Sequence, residues 1–268
     1  MRNGILTKLI VITTILAIIL PLFSIFIWSF TERWAWPDLL PQVFSTRALR
    51  EITDNPEELV KMFMSSIFIS TVVGVLSVAI GLMTSRALVF YDFKGRKFVH
   101  FLTILPFMVP ATVFAMGVQM TFIKLGINNT VFGVIVSHLI CSLPYAVRLI
   151  MDGLSALGPK LEEQARVLGA GPVKAFFSTT FPLMTPIMLS SMSMAYIVSF
   201  SQYFITLLIG GGRVKTFTIV MVPFLTGGDR SIACVYSVLF LAVTLAVFTI
   251  FEFIAKKYSE NVDEAFYS

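Results

Sequence analysis

Long apolar runs separated by short polar segments dominate the hydrophobic pattern of this chain of 268 residues. A helix needs roughly 20 predominantly apolar residues to cross the hydrocarbon core of a bilayer. Six runs meet this requirement, so the pattern predicts an all-α integral membrane protein with six transmembrane helices. The predicted spans cover about residues 6–30, 62–90, 99–123, 131–151, 183–209 and 233–255.

A polar helix signal lies between the fourth and fifth predicted spans, in the segment 152–182. Gly158-Pro159 ends the preceding helix, and Pro is favoured in the first turn of a new one. The residues from 160 to 168 are good helix formers, and Gly169 is a typical helix stop. The pattern predicts a short surface helix, then a second helix over 173–181 that is separated from the fifth span by a proline.

The first of these two helices is amphipathic. Glu162, Glu163 and Arg166 mix acidic and basic charge on its polar side. A helix that lies in lipid headgroups prefers a polar face rich in Lys and Arg, so this mixture favours docking on a soluble protein partner. The small apolar face, at helical spacing, consists of Leu161, Ala165 and Leu168.

The composition agrees with a membrane protein, since 57% of the residues are hydrophobic and 13% are charged. Soluble domains are about 45–50% apolar and about 25% charged. The net charge of +5 does not indicate nucleic acid, because basic residues of membrane proteins collect beside the cytoplasmic ends of spans. Both cysteines lie in apolar runs, and no Cys/His spacing is typical of a metal site. We therefore expect no disulfide framework, metal, cofactor or nucleic-acid partner.

The Lys and Arg residues also orient the spans. With the N-terminus in the cytoplasm, most of the 20 Lys and Arg residues fall on the inner side. This predicts cytoplasmic N- and C-termini and a cytoplasmic position for segment 152–182. The apolar run of the first span is too long for the core of a cleaved signal peptide, so we expect an uncleaved anchor.

The longer outer segments follow from this orientation. Segment 31–61 has room for a short helix or two, and the residues 54–58 are typical of a helix start, with an early Pro followed by acids. Segment 210–232 is expected to be an outer connection with two glycine clusters. An aromatic belt is predicted where the first span leaves the bilayer, from Trp28, Trp34 and Trp36.

Glu163-Gln164-Ala165, followed by Gly169 and then by Phe181-Pro182, resembles a known family signature. It is similar to the cytoplasmic loop motif of binding-protein-dependent ABC import permeases, which is Glu-Ala-Ala, then Gly, then an apolar residue and Pro. The spacings of the Gly and the Pro match. Gln164 stands in place of the middle Ala, and Phe181 in place of the usual Leu. The six spans and the position of the loop extend the resemblance over most of the chain.

The resemblance implies that the whole chain, 1–268, is a single transmembrane permease domain of a type I importer. The closest subgroup serves polyamines, ferric iron, thiamine and phosphonates. Two such subunits, identical or similar, would form the pathway for a small hydrophilic solute (a polyamine, thiamine, phosphonate or similar) in the bacterial cytoplasmic (inner) membrane. Two cytoplasmic ATP-binding subunits would drive transport, and an external solute-binding protein would deliver the solute.

The resemblance also implies roles within the loop, which would be the coupling helix. Glu163 would contact the ATPase subunit, Ala165 would permit close packing, and Gly169 would allow the turn. The chain has no G-x-x-x-x-G-K-[ST] phosphate loop, so we expect no catalytic residue here and ATP hydrolysis by a partner subunit. The expected ATPase-coupling residues are Glu163, Ala165, Leu168, Gly169 and Pro182.

Polar residues on apolar spans are costly in lipid and usually face a cavity or another helix. Helix–helix packing is an equally open role for the Ser and Thr residues among them, and His138 is expected to be packed. No Asp or Glu lies in the central part of a span. This counts against a multiply charged cation unless the partner permease supplies an acid, and it leaves neutral, zwitterionic and anionic solutes open. The candidates for the solute pathway are Gln119, Ser199, Gln202, Tyr203 and Thr206.

Two other classes of protein remain open. A secondary transporter or channel would need no ATPase subunit, but such proteins usually carry intramembrane acids, His relays or inverted repeats, which this sequence does not show. A scaffold subunit of a membrane assembly would use the loop as a contact. It would give no solute-dependent ATPase activity in a reconstituted complex.

Overall fold

The computed structural model describes residues 2–35 and 37–267, and the side chains of residues 7–35 and 37–258. Nearly all of the regular structure in these residues is helical. Two short strands, β1 (Thr31–Arg33) and β2 (Val43–Phe44), pair antiparallel. The helices are α1 (Arg2–Trp28), α2 (Arg47–Thr53), α3 (Pro56–Phe90), α4 (Arg96–Met108), α5 (Ala111–Lys124), α6 (Val131–Leu157), α7 (Lys160–Val167), α8 (Pro172–Ala175), α9 (Phe181–Phe200), α10 (Phe204–Gly210), α11 (Phe217–Gly227) and α12 (Arg230–Tyr267).

Within the described residues, five segments are long and apolar enough to cross a membrane, and the pair α4 and α5 makes a sixth. The predicted all-α membrane fold is therefore confirmed. The helix start predicted at residues 54–58 is also confirmed, because α3 begins at Pro56. The five unbroken segments are Thr7–Trp28, Pro56–Phe90, Val131–Leu157, Pro172–Phe200 and Arg230–Tyr258.

The expectation of one continuous helix over residues 99–123 is wrong. α4 and α5 meet at an angle of 112°. Val109 is extended between them, with φ −92° and ψ 130°, because a following proline disfavours the helical conformation. Pro110 itself has no N–H to continue the ladder of α4. The third span is thus a bent pair of helices rather than a rod.

The fifth span also differs from its predicted bounds of 183–209. α8 runs through a π-helical turn, Phe176–Thr180, directly into α9. The predicted second loop helix is therefore part of the span, and Pro182 does not separate the two. A proline ring clashes with the carbonyl four residues before it in a regular α-helix, and the wider π-helical turn before Pro182 relieves that clash.

The other end of the fifth span is broken. α9 ends at Phe200 and α10 begins at Phe204, so the residues 201–203 interrupt the run that the sequence presented as continuous. The segment expected as a connection over 210–232 contains the apolar helix α11. Its 11 residues rise only about 16 Å, too short for a span, which is why a search for runs of about 20 residues misses it.

The chain divides into two compact units, the first made of residues 1–62 and 220–243 and the second of residues 63–219 and 244–268. In the first unit the Arg47 guanidinium pairs with the Asp229 carboxylate at 2.8 Å. Trp28 stacks on Trp34 with 5.1 Å between ring centroids. Trp36, the third residue of the predicted aromatic belt, lies outside the described residues.

The second unit is organised around the packing of α6 on α9. Val78 of α3, Ile150 and Leu154 of α6, and Met184 of α9 form one buried apolar cluster. The Ser142 hydroxyl of α6 donates to the Ala195 carbonyl of α9 at 3.3 Å. Small and hydroxyl-bearing residues at such contacts are typical of helix packing in membranes.

Gly133, in the first turn of α6, has no room for a side chain. A Cβ atom there would overlap the Ile127 carbonyl oxygen, which already accepts a hydrogen bond from the Thr130 hydroxyl at 2.6 Å. We expect Gly133→Ala to lower the thermal midpoint of the detergent-solubilised protein, because overpacking against backbone costs about 1–3 kcal/mol. Gly117→Ala is the matched control, since nothing lies within 4 Å of its Cβ position. Equal midpoints for the two variants would contradict the steric explanation.

Candidate functional site

α7 forms where the sequence predicts a short polar helix. It follows Pro159, carries Glu162 and Glu163 in its first turn, and carries Arg166 in its last turn. Acids near the start of a helix and a base near its end both interact favourably with the helix dipole. The helix is therefore favoured by its own sequence, although its residues are only half-buried or exposed.

The end of α7 is closed by backbone hydrogen bonds that require a glycine. Gly169 has φ +89°, in the left-handed region that L side chains rarely adopt. Its N–H bonds to the Arg166 carbonyl at 3.0 Å, and the Ala170 N–H bonds to the Ala165 carbonyl at 3.0 Å. This pair of bonds is the Schellman motif, which satisfies the last carbonyls of a helix. Gly169 thus fixes where α7 stops and how the chain leaves it.

Glu162, one residue before the predicted contact residue, anchors α7 to the rest of the second unit. Its carboxylate makes a bidentate pair with Arg86 at the end of α3, with 2.5 Å from Nη1 to Oε1 and 2.5 Å from Nη2 to Oε2. The Thr180 hydroxyl of the π-helical turn donates to the same carboxylate at 2.5 Å. One side chain of α7 therefore binds two other elements.

The environment of this ion pair keeps it ionised. The hydrogen bond from Arg86 lowers the pKa of Glu162, against the opposing effect of burial, and the bond from Thr180 lowers it further. The Arg86 guanidinium also lies over the Phe176 ring, 4.8 Å from its centroid. A lowered carboxyl pKa means that the contribution of the pair to folding is complete at neutral pH and is lost only as the pH falls through that lowered pKa.

The opposite side of α7 faces outward. Glu163 is exposed, and the side chains after it, Val167 and Leu168, are 87% and 88% exposed. We call these three residues the α7 surface. Ala165 is half-buried beneath it, and Pro182 is half-buried in the first turn of α9. Two large apolar side chains exposed beside an unshielded carboxylate form a surface suited to a protein partner.

A second cluster lies at the break in the fifth span. The Gln202 carbonyl, freed by the end of α9, accepts hydrogen bonds from the Thr206 hydroxyl at 2.7 Å and from the Thr218 hydroxyl at 3.0 Å. Broken helices persist at membrane depth only where side chains or water satisfy the freed backbone groups. The hydroxyls of this cluster make the break stable.

His138 of α6 bridges the two sides of that break. It is 1% exposed, its Nδ1 lies 2.9 Å from the Ser199 hydroxyl of α9, and its Nε2 lies 2.8 Å from the Thr206 hydroxyl of α10. Because Thr206 gives its proton to the Gln202 carbonyl, it accepts from Nε2–H, and Nδ1 accepts from Ser199. The structure thus brings together two of the predicted pathway residues, Ser199 and Thr206, around a packed histidine.

The other predicted pathway residues lie in different settings. The Gln119 amide of α5 donates to the Leu208 carbonyl of α10 at 3.0 Å, which ties two helices together. Gln202 and Tyr203 are half-buried at the break itself. Three of the five predicted side chains therefore hold helices together, and two lie at an interrupted span.

Comparison with known families decides the identity of the chain. The model of the family described as binding-protein-dependent transport system inner membrane component matches residues 77–261. That range is more than half of the chain and contains both α7 and the His138 cluster.

The chain belongs to this family. It is a permease subunit of a binding-protein-dependent ABC importer and a multi-pass membrane protein. The molybdate/tungstate transport system permease protein WtpB of Pyrococcus abyssi is 26% identical over 198 residues, covering 74% of this chain and 79% of the relative. The probable sulfate transport system permease protein cysT of Helicosporidium sp. subsp. Simulium jonesii is 24% identical over 257 residues, covering 90% of each chain.

A solved structure shows the same fold for this permease. A chain in the crystal structure of the bacterial alginate ABC transporter, in complex with alginate pentasaccharide-bound periplasmic protein, superposes with a TM-score of 0.73. The match covers 96% of this chain and 95% of that chain at 14% identity. At this identity the likeness concerns the fold alone.

Sequence reasoning missed the internal anchor of α7 in this permease. Arg86 and Glu162 are 76 positions apart, and no local pattern connects them. A usable signal was present, because an Arg in the last turns of an apolar span requires a counter-charge or exposure to water. The same reasoning would have pointed from Arg86 to the acids of the following loops.

Proposed function

We propose that this permease couples import of a small hydrophilic solute to ATP hydrolysis by docking α7 on a cytoplasmic ATPase subunit. The α7 surface carries the proposal. Glu163, Val167 and Leu168 project from a helix whose position is fixed by the Glu162 anchor and whose end is fixed by Gly169. Amphipathic helices that dock into a groove present an apolar contact with a polar rim in this manner.

The proposed complex contains more than this chain. The whole chain, 1–268, acts as one permease domain beside a second permease subunit, either a copy of itself or a similar chain. Two ATPase subunits bind on the cytoplasmic side, and an external solute-binding protein delivers the solute. The excess of Lys and Arg on one side supports cytoplasmic N- and C-termini in the bacterial cytoplasmic membrane, and the alginate importer with its periplasmic protein supports the external partner.

The solute contacts are assigned to the break in the fifth span. Gln202 and Tyr203 are half-buried there, whereas Ser199, Thr206 and Gln119 serve the packing of helices. An amide and a phenol can both donate hydrogen bonds, which suits a phosphonate or an oxyanion of the kind that the molybdate/tungstate and sulfate relatives carry. A polyamine or thiamine, as cations, would require an acid from the second permease subunit.

The direct test is purification from the native membrane in mild detergent, followed by identification of the proteins that accompany the chain. We expect an ATPase subunit and, in proteoliposomes with the binding protein, solute uptake that stops without ATP. Recovery of the chain alone, together with uptake that is indifferent to ATP, would overturn the proposal in favour of a secondary transporter.

Glu163→Lys tests the α7 surface. We expect uptake to fall about fivefold, because reversing one charge at the edge of an interface costs about 1 kcal/mol of docking free energy. The amount of inserted protein and its thermal midpoint should stay unchanged, since the Glu163 side chain is exposed. Glu57→Lys makes the same charge change at a side chain that is 90% exposed on α3. Similar loss of uptake in both variants would show that the effect is not specific to α7.

A further inference from the structure

We propose that Arg86, Glu162 and Thr180 form a three-way joint that carries the movement of docked α7 into the spans. The joint connects α7 with the end of α3 and with the π-helical turn at the root of α9. In this role the three are positioning residues, which contact neither solute nor ATP. The inference rests on the proposed docking of α7 and adds the route by which docking moves the permease.

The burial of the ion pair separates it from the other ion pairs of the described residues. The side chains of Arg86 and Glu162 are 23% and 13% exposed. Those of Arg148 and Asp152, an ion pair on α6, are 68% and 58% exposed. Exposed pairs contribute little and re-form easily, whereas loss of one partner from a buried pair leaves an uncompensated charge. The joint is therefore costly to open.

The geometry of the joint transmits orientation as well as distance. A bidentate pair fixes the plane of the guanidinium relative to the carboxylate. The Thr180 hydroxyl, which is 1% exposed, holds the same carboxylate from the π-helical turn. Phe176, at the other end of that turn, lies against the guanidinium. With these contacts α7 cannot pivot without moving α3 and the root of α9.

The π-helical turn supplies a place where such movement can be absorbed. Its last bond runs from the Phe181 N–H to the Phe176 carbonyl, five residues back. π-helical turns are rare inside α-helices and are frequent at functional sites. A shift of Thr180 with the joint therefore acts on the one irregular turn of the fifth span rather than on a regular helix.

The test measures how many solute molecules enter per ATP hydrolysed by the reconstituted complex. Arg86→Lys keeps the charge and loses the bidentate fork, and Glu162→Gln keeps the shape and loses the charge. We expect both variants to retain the ATPase subunit and to hydrolyse ATP, with the solute-to-ATP ratio about fivefold lower. Arg148→Lys is the matched control, because it changes an exposed pair in the same unit, and its ratio should equal that of wild type.

A purely structural role makes a different prediction. The thermal midpoint would fall in both variants while the solute-to-ATP ratio of the assembled complex stayed at the wild-type value, and that result would overturn the inference. Thr180→Val provides a milder variant that leaves the ion pair intact, and we expect its ratio to fall as well. A wild-type complex without ATP-dependent uptake would overturn the proposed function, whereas an active wild type with unchanged variants would overturn this inference alone.

Discussion

Gly169→Val is expected to lower solute uptake about tenfold while the amount of protein in the membrane stays the same. Gly169 has φ +89°, and an L residue in the left-handed region costs about 1–2 kcal/mol, which corresponds to roughly a tenfold change in an equilibrium. A β-branched side chain is among the least tolerated there. The two backbone bonds that close α7 would be lost, and Leu168 would leave its place on the α7 surface. Uptake in proteoliposomes, normalised to inserted protein, measures the effect.

Gly171→Val is the matched control for this experiment. Gly171 is two residues away, and nothing lies within 4 Å of the Cβ position at either glycine. Gly171, however, has φ −65° and ψ 162°, a conformation that valine adopts readily. Gly169→Asn should recover part of the uptake, because Asn tolerates the left-handed region. Equal losses at positions 169 and 171 would rule out the conformational explanation.

His138→Leu is expected to lower the thermal midpoint of the purified protein by about 5–10 °C. The substitution leaves the Ser199 and Thr206 hydroxyls without their buried partner, and each unsatisfied group costs about 1–3 kcal/mol, with a shift of about 2–4 °C per kcal/mol in a chain of this size. His100→Leu on α4 serves as the control, because His100 is only half-buried. A thermal midpoint that moves equally in both variants would contradict the bridging role.

A compensated variant separates hydrogen bonding from packing at His138. When both partners of a buried hydrogen bond become apolar groups of similar shape, the net cost is small. We therefore expect His138→Leu combined with Ser199→Ala and Thr206→Val to recover most of the lost midpoint. A further decrease in the triple variant would mean that the imidazole acts through its volume and not through its two ring nitrogens.

The sequence was sufficient for the parts of the fold that depend on composition over about 20 residues. Each apolar run corresponds to a spanning helix or to a bent pair of helices. The interruptions at Pro110 and at residues 201–203 were missed because a hydropathy average does not register a single turn. The prolines were visible, but Pro110 breaks the third span, whereas Pro182 lies inside a continuous one. The difference lies in the π-helical turn before Pro182, which depends on packing.

The candidate site divides along the same line. The extent of α7 and its end at Gly169 follow from helix formers and a glycine, which act locally. The contacts of Arg86 with Glu162, and of His138 with Ser199 and Thr206, join distant positions, and a Ser in a span has the same sequence whether it packs or meets solute. Whether Gln202 and Tyr203 contact solute stays a prediction.

Two neighbouring glutamates of α7 have separate tasks because successive residues of a helix point about 100° apart. Glu162 turns inward to Arg86, and Glu163 faces outward on the α7 surface. Substitutions at Glu163, Val167 and Leu168 can thus change which ATPase subunit the permease recognises without disturbing how recognition reaches the spans. A permease of this kind can acquire a new motor by altering three exposed positions, while its internal transmission stays as it is.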